Sequence, residues 1–147
     1  MLVVVPWRDI GCEWRTRARD YVARHMSAFD VVEVDAGGDL FSRSDSLNEG
    51  VRASGAEVIC ALDADIVIPP AHIVAAAGMA LEAPGMVVPF DEGRYLASAA
   101  TMRVVSGSSP WLAEPRWRFR PDSTTPLVGG CNVLSRETFE KVGGSTR

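Results

Sequence analysis

Asp63-Ala64-Asp65 places two carboxylates one residue apart between two apolar runs, Val58-Ile59-Cys60-Ala61-Leu62 and Ile66-Val67-Ile68. Side chains at i and i+2 point to one side where the backbone is extended. Two such carboxylates repel each other unless a cation lies near them. A hard divalent ion such as Mn²⁺ or Mg²⁺ takes one or two carboxylates and fills its other positions with phosphate oxygens and water. The pair therefore reads as a metal-diphosphate site. The bland rival is two loop or N-cap aspartates before the helix opened by Pro69-Pro70. The flanking apolar runs weigh against it, because solvated loop aspartates rarely interrupt a buried segment.

Such a site needs a scaffold that ends strands at one edge. Leu2 to Val5, closed by Pro6, is a β-branched run that reads as a buried strand. Glu13 to Phe29 carries Trp14, Ala18, Tyr21, Val22 and Phe29 at helical spacing, with arginines mostly on the other face. Val31 to Val34 reads as a second strand, and Asp35 to Asp39 as a loop. Ser44 or Ser46 is expected to cap a helix that runs to a stop at Gly55. Val58 to Leu62 is a third strand, apolar throughout and so buried on both faces. A helix over Ala71 to Leu81 and a strand over Met86 to Phe90 follow.

Residues 91 to 126 are rich in Ser and Pro and read as one long loop, with Trp111, Trp117 and Phe119 as anchors. Leu127 to Leu134 reads as a last strand with a Gly129-Gly130 break. Ser135 should cap a final helix ended by Gly143-Gly144, although Glu137 stands one place early for a full capping box. Alternating strands and helices predict an α/β sandwich around a mostly parallel sheet, with ligands outside the carboxyl ends of the strands.

Composition sets the bounds. A chain of 147 residues suits one domain, 1–147, and buries about two-thirds of its unfolded surface without staples. A formal net charge of −4 disfavours a general nucleic-acid binder. Cys12, Cys60 and Cys131 form no CxxC pair, so a zinc site is not expected. Cys60 reads as a small buried hydrophobe, and a reducing cytoplasm as the compartment. The opening MLVVVPWRD is not a signal peptide, and no run is long enough to span a membrane. His25 and His72 each stand alone on expected helices and read as structural.

The stretch RSDSLNEGVRASGAEVICALDADIVIPPAHI resembles the core of the GT-A fold nucleotide-sugar glycosyltransferases, family 2 and the galactosyltransferase-like members in particular. Arg43, Asn48, Gly50, Ala53, Gly55, the strand 58–62, Asp63 and Asp65 carry that likeness. GGCNVLSRETFEKVGG, residues 129 to 144, is similar to a second family segment, and VVVPWRD is compatible with its first strand and nucleotide-contacting loop. The likeness covers residues 1 to 144.

It implies a GT-A-like, Rossmann-type α/β/α sandwich and a hexosyltransferase, the DXD motif binding manganese or magnesium on a UDP- or GDP-sugar. By position it implies Asp65 as the metal ligand, with Asp63 at the ribose or the same metal. Pro6, Arg8 and Asp9 would line the nucleoside pocket, and Asp35 would face the base or ribose. Arg43 and Asn48 would lie on the donor side. Gly129 and Gly130 would leave room for donor sugar or acceptor, and Trp111 and Trp117 would stack on an acceptor sugar.

Each position has a structural rival. Arg8 can pair with Asp9 or Glu13, Arg43 can be a solvated arginine, Asn48 can bond backbone near its helix start, and the tryptophans can be loop anchors.

The likeness has one departure. The family's catalytic base, an acidic pair beyond the Gly-Gly, has no counterpart where Gly144 is followed by Ser145-Thr146-Arg147. Three readings follow: a minimal enzyme that takes its base from Asp91 or Glu92, an enzyme completed by a second chain or by oligomerisation, or a GT-A domain that binds nucleotide sugar or a partner without catalysis. A nucleotidyltransferase would need a Gly-rich phosphate loop, and PWRDIGCEW has one glycine.

Overall fold

The computed structural model describes residues 1–120 and 129–145. It divides into two compact units, Met1–Pro89 with Gly129–Arg147, and Phe90–Val128. Residues 121–126 of the expected loop, Leu127-Val128 of the expected last strand, and Thr146-Arg147 lie outside the described residues.

The first unit holds a five-stranded sheet in the order β2-β1-β3-β7-β4. β1 (Leu2–Pro6) pairs in parallel with β2 (Asp30–Val34) and with β3 (Val58–Leu62). β7 (Cys131–Ser135) runs antiparallel between β3 and β4 (Met86–Val87). The chain is thus mixed α/β with a mostly parallel sheet. All five residues of β1 and of β3 are buried, the signature of strands covered on both faces.

Leu2 and Val4 of β1 and Ile59 and Ala61 of β3 form a core with Leu47 and Val51 of α2 (Arg43–Arg52). Phe139 of α5 (Arg136–Lys141) packs against that core. α3 (Pro70–Glu82) lies against β3, β7 and β4. Among the described residues no helix is long and apolar enough to cross a membrane.

Several boundaries differ from expectation. α1 (Glu13–His25) stops before Phe29, because the chain turns after the C-cap Met26, whose carbonyl accepts from the Phe29 N–H at 2.9 Å. Ser42, rather than Ser44 or Ser46, caps α2, its hydroxyl accepting from the Asp45 N–H at 3.2 Å. Ser46 is instead fully buried and ties the loop after β2 to the helix, accepting from the Ala36 N–H and donating to the Ser42 carbonyl. α2 ends at Arg52 without calling on Gly55. β4 has two residues rather than five, since Pro89 has no N–H to extend a ladder. Ser135 caps α5 as expected, accepting from the Thr138 N–H.

The second unit replaces the expected loop with regular structure. β5 (Gly93–Leu96) and β6 (Pro115–Phe119) form an antiparallel two-stranded ribbon. α4 (Ser98–Val105) and a single 3₁₀ turn, Pro110–Leu112, lie between them in sequence. One ribbon face carries Tyr95, Trp117 and Phe119, with ring centroids 4.9 and 5.8 Å apart. Trp117 is 56% and Trp111 45% exposed, so neither is the buried loop anchor that composition suggests.

Candidate functional site

The parallel strands β1, β2 and β3 end at one edge of the sheet, and antiparallel β7 begins there, with Cys131 opposite Leu62. Topology therefore gathers Arg8, Asp35, Asp63, Asp65 and Gly130 at that edge, together with Arg43, which the Arg43–Asp63 contact draws in. β3 must end at Leu62 because the next residues turn: the Ile66 N–H closes on the Asp63 carbonyl at 3.1 Å. Asp63-Ala64-Asp65 is thus a turn and not the extended run that puts i and i+2 on one side. The Asp63 N–H donates to the Gly130 carbonyl at 2.8 Å, which continues the β3–β7 ladder by one rung. Gly130 holds φ +77°, a conformation that residues with a Cβ rarely adopt.

A cation does lie beside the first carboxylate, and it is an arginine. Arg43 opens α2, and its Nε donates to Asp63 Oδ1 at 2.7 Å. Both side chains are more than a third exposed, so this pair by itself adds little stability. Nη2 of Arg43 is buried and has no hydrogen-bond partner among the described residues. A buried donor left unmade is costly, and such groups call for an explanation.

Asp65 is exposed, with no hydrogen bond or ion pair among the described residues. Among those residues no group of three or more His, Cys, Asp and Glu side chains converges as a metal cage. Two oxygen-donor carboxylates, one already held by Arg43, still suit a hard cation that brings phosphate oxygens and water as its other ligands.

At the ends of β1 and β2 two candidate residues hold each other. Arg8 donates from Nε and Nη2 to both oxygens of Asp35, at 2.6 and 2.8 Å. Asp35, not Asp9 or Glu13, is its partner, and the fork geometry suits a carboxylate. The Arg8 hydrogen bonds, and then the Gly37 N–H, hold the Asp35 carboxyl below its ordinary range. Asp9 accepts from the Gly11 N–H. Pro6 is buried at the end of β1, opposite Val34.

A carboxyl whose folded pKa is depressed contributes stability above its unfolded pKa, and that contribution is lost as pH falls through the folded value. The stability gap between the wild type and Asp35→Asn should be constant from neutral pH to about 4 and close below it. Urea titrations across pH test this; a gap that closes between pH 7 and 5 excludes the pair as its source.

Asn48 points elsewhere. Its amide group exchanges two hydrogen bonds with the Ser145 backbone, Nδ2 to the carbonyl at 3.0 Å and Oδ1 from the N–H at 2.9 Å. The bond runs to backbone far along the chain rather than near its own helix start. Sequence reasoning passed over Asn132 in β7, opposite Ala61, whose Oδ1 is buried without a partner among the described residues. Its signal was an amide inside the apolar run Cys131-Asn132-Val133-Leu134.

In the second unit Glu92 is nearly buried and takes Arg94 at 2.7 Å, Arg120 at 2.8 Å and Arg118 at 3.4 Å. The Arg94 and Arg120 hydrogen bonds lower its pKa. That makes Glu92 a weaker base than an ordinary glutamate, whereas Asp91 is exposed.

A groove of about 540 Å³ runs beside β2 and α2, and of the candidate residues only Asp35 borders it. It is an open side channel and does not include the Asp63-Asp65 turn. Comparison of the chain with protein-family models, with curated proteins and with solved structures gave no match.

Proposed function

We propose that the chain is a metal-dependent, GT-A-like glycosyltransferase that uses a UDP- or GDP-sugar and an acceptor yet to be identified. The observation that carries this reading is Arg43: a guanidinium held by Asp63 at the carboxyl end of the sheet, with a buried Nη2 that no described residue satisfies. A diphosphate oxygen is the kind of acceptor that such a donor fits. Asp65, exposed and without an ion pair among the described residues, is the natural ligand for Mn²⁺ or Mg²⁺ on the same diphosphate. The ion, when bound, supplies Lewis-acid stabilisation of the leaving nucleoside diphosphate.

In this reading Arg43 offsets the diphosphate charge and Asp63 fixes the guanidinium in place. Gly130, whose carbonyl takes the Asp63 N–H, holds the turn against β7. The Arg8–Asp35 pair sits at the ends of the two neighbouring strands, where a nucleoside would meet it.

Titration calorimetry of UDP and GDP, with and without Mn²⁺, tests the reading beside Asp65→Ala. Loss of a first ligand should exceed the roughly 10–100-fold cost of losing a group that only supports one. The expected result is Mn²⁺-dependent binding that Asp65→Ala abolishes while its thermal unfolding is unchanged. Unaltered metal-dependent affinity in that variant sinks the assignment.

A second reading, a module that binds the nucleotide sugar without transferring it, is favoured by the three arginines on Glu92, which leave exposed Asp91 as the candidate base with no ion pair among the described residues. Donor hydrolysis or transfer by the chain alone would exclude it.

A further inference from the structure

Cys60 and Cys131 lie on neighbouring antiparallel strands, two residues off direct register, since Cys60 stands opposite Val133 and Cys131 opposite Leu62. Both are fully buried as free thiols, and their sulfurs are 3.5 Å apart. Three residues beyond Cys60 is Asp63, and the residue before Cys131 is Gly130, so Cys131 lies one rung and Cys60 three rungs below the Asp63–Gly130 hydrogen bond. The third cysteine, Cys12, precedes α1 and is not part of this cluster.

We propose that Cys60 and Cys131 are a modification site: a dithiol that a low-molecular-weight disulfide oxidises to a Cys60–Cys131 bond, cross-linking β3 to β7 beneath the Asp63 turn. The reaction balances with glutathione disulfide as the oxidant. One cysteine thiolate attacks it and releases one glutathione. The other then attacks the protein-side sulfur of the mixed disulfide and releases the second. Two thiols are oxidised, one disulfide is reduced, and the two thiol protons end on the two glutathiones.

The sulfurs must close from 3.5 Å to about 2.0 Å. Diagonal neighbours in an antiparallel pair sit about 7–8 Å apart, beyond the roughly 4.4–6.8 Å that a disulfide spans, so the bond forms only if the backbones of β3 and β7 draw together. A bond under that load is readily reduced, which marks it as reversible rather than a permanent staple. Reaction in the closed fold is slow. The contact with Cys60, and then burial, hold the Cys131 thiol far above its ordinary pKa, and no oxidant reaches either sulfur. The bond forms as the chain folds or when β7 opens.

The test uses the full chain with Cys12→Ser, refolded in glutathione disulfide or in dithiothreitol, then alkylated in denaturant and weighed intact. The expected product of the oxidising arm is a monomer that has lost two hydrogens and both alkylatable thiols. Digestion should release a Cys60–Cys131 peptide pair, and in the intact chain reduced glutathione should reopen the bond only as fast as β7 opens. Cys60→Ala and Cys131→Ala in the same background should retain one alkylatable thiol or carry one glutathione.

Two free thiols after oxidative refolding overturn the proposal. So does a glutathione on each cysteine, or a disulfide-linked dimer. If Cys12→Ser does not fold, the wild-type chain with half-buried Cys12 alkylated in advance serves instead.

Discussion

Arg136→Ala is expected to lower the stability of the chain by about 3 kcal/mol, as the sum of several charged hydrogen bonds lost together. Arg136 opens α5, but its side chain reaches back past the end of α2. Nη2 donates to the carbonyls of Val51 at 3.1 Å and Ser54 at 2.6 Å, and Nε to that of Ala56 at 2.8 Å. Its backbone N–H donates to the Glu57 carbonyl at 2.7 Å. A helix leaves its last carbonyls unpaired and places partial negative charge there, so a guanidinium at that end serves both needs.

One side chain thereby stitches α5 to the end of α2 and to the entry of β3. Urea unfolding of Arg136→Ala and Arg136→Lys separates charge from shape. Lysine keeps the charge but has no planar fork, and should recover less than half of the loss. A loss below about 1 kcal/mol for alanine would mean that water replaces these bonds at no cost.

Gly50→Val is expected to cost a similar amount, about 3 kcal/mol, at the upper end for an overpacked core. A Cβ at position 50 would stand 2.7 Å from Val4 Cγ1 and 3.1 Å from Val34 Cγ2. Val4 is fully buried and cannot move aside. α2 therefore lies on β1 and β2 only because residue 50 has no side chain. Gly50→Ala makes the same first clash but recovers about 1 kcal/mol of helix propensity, so it should lose less.

α2 carries Arg43 at its first turn, so lifting the helix by the needed fraction of an ångström shifts the guanidinium relative to Asp63. If the proposed nucleotide site is correct, Gly50→Ala, which should still fold, should lose UDP and GDP affinity along with stability. Equal affinity in a destabilised variant would separate helix seating from the site.

β1 and β3, the central strands at the site, were legible because they are buried on both faces. Val58 to Leu62 shows as an unbroken apolar run and ends at the carboxylate that turns the chain. The edge where the strand-end candidates meet followed from strand order alone, but the closeness of Arg43 to Asp63 did not. What stayed hidden was pairing between side chains distant in sequence. Arg8 and Asp35 were each readable as site residues, but nothing local says that they hold each other.

The ribbon of β5 and β6 was hidden for another reason. Arg116-Trp117-Arg118-Phe119-Arg120 does alternate, yet it sets arginines against aromatics rather than charge against aliphatic core. Hydrophobic periodicity reports burial, and a two-stranded ribbon with Trp117 and Tyr95 more than half exposed has little to report. The expected cap of α2 failed on chemistry that three nearby serines share. Ser42, Ser44 and Ser46 all suit the role, and the Ala36 N–H, which recruits Ser46, lies ten residues away.

The chain leaves the sheet after β4 and comes back on β7, its direct antiparallel neighbour. Strands joined in that sense can be bridged by a turn as short as two residues. Everything from Phe90 to Val128 is therefore an excursion whose length the sheet does not dictate, and each doubling of such a loop costs only about 0.6 kcal/mol in closure entropy. Selection can thus rewrite this part of the gene, lengthening, trimming or exchanging it, while the residues around Asp63 stay in register. A lineage of such chains would diverge fastest between Phe90 and Val128, and differences in what they recognise would collect there.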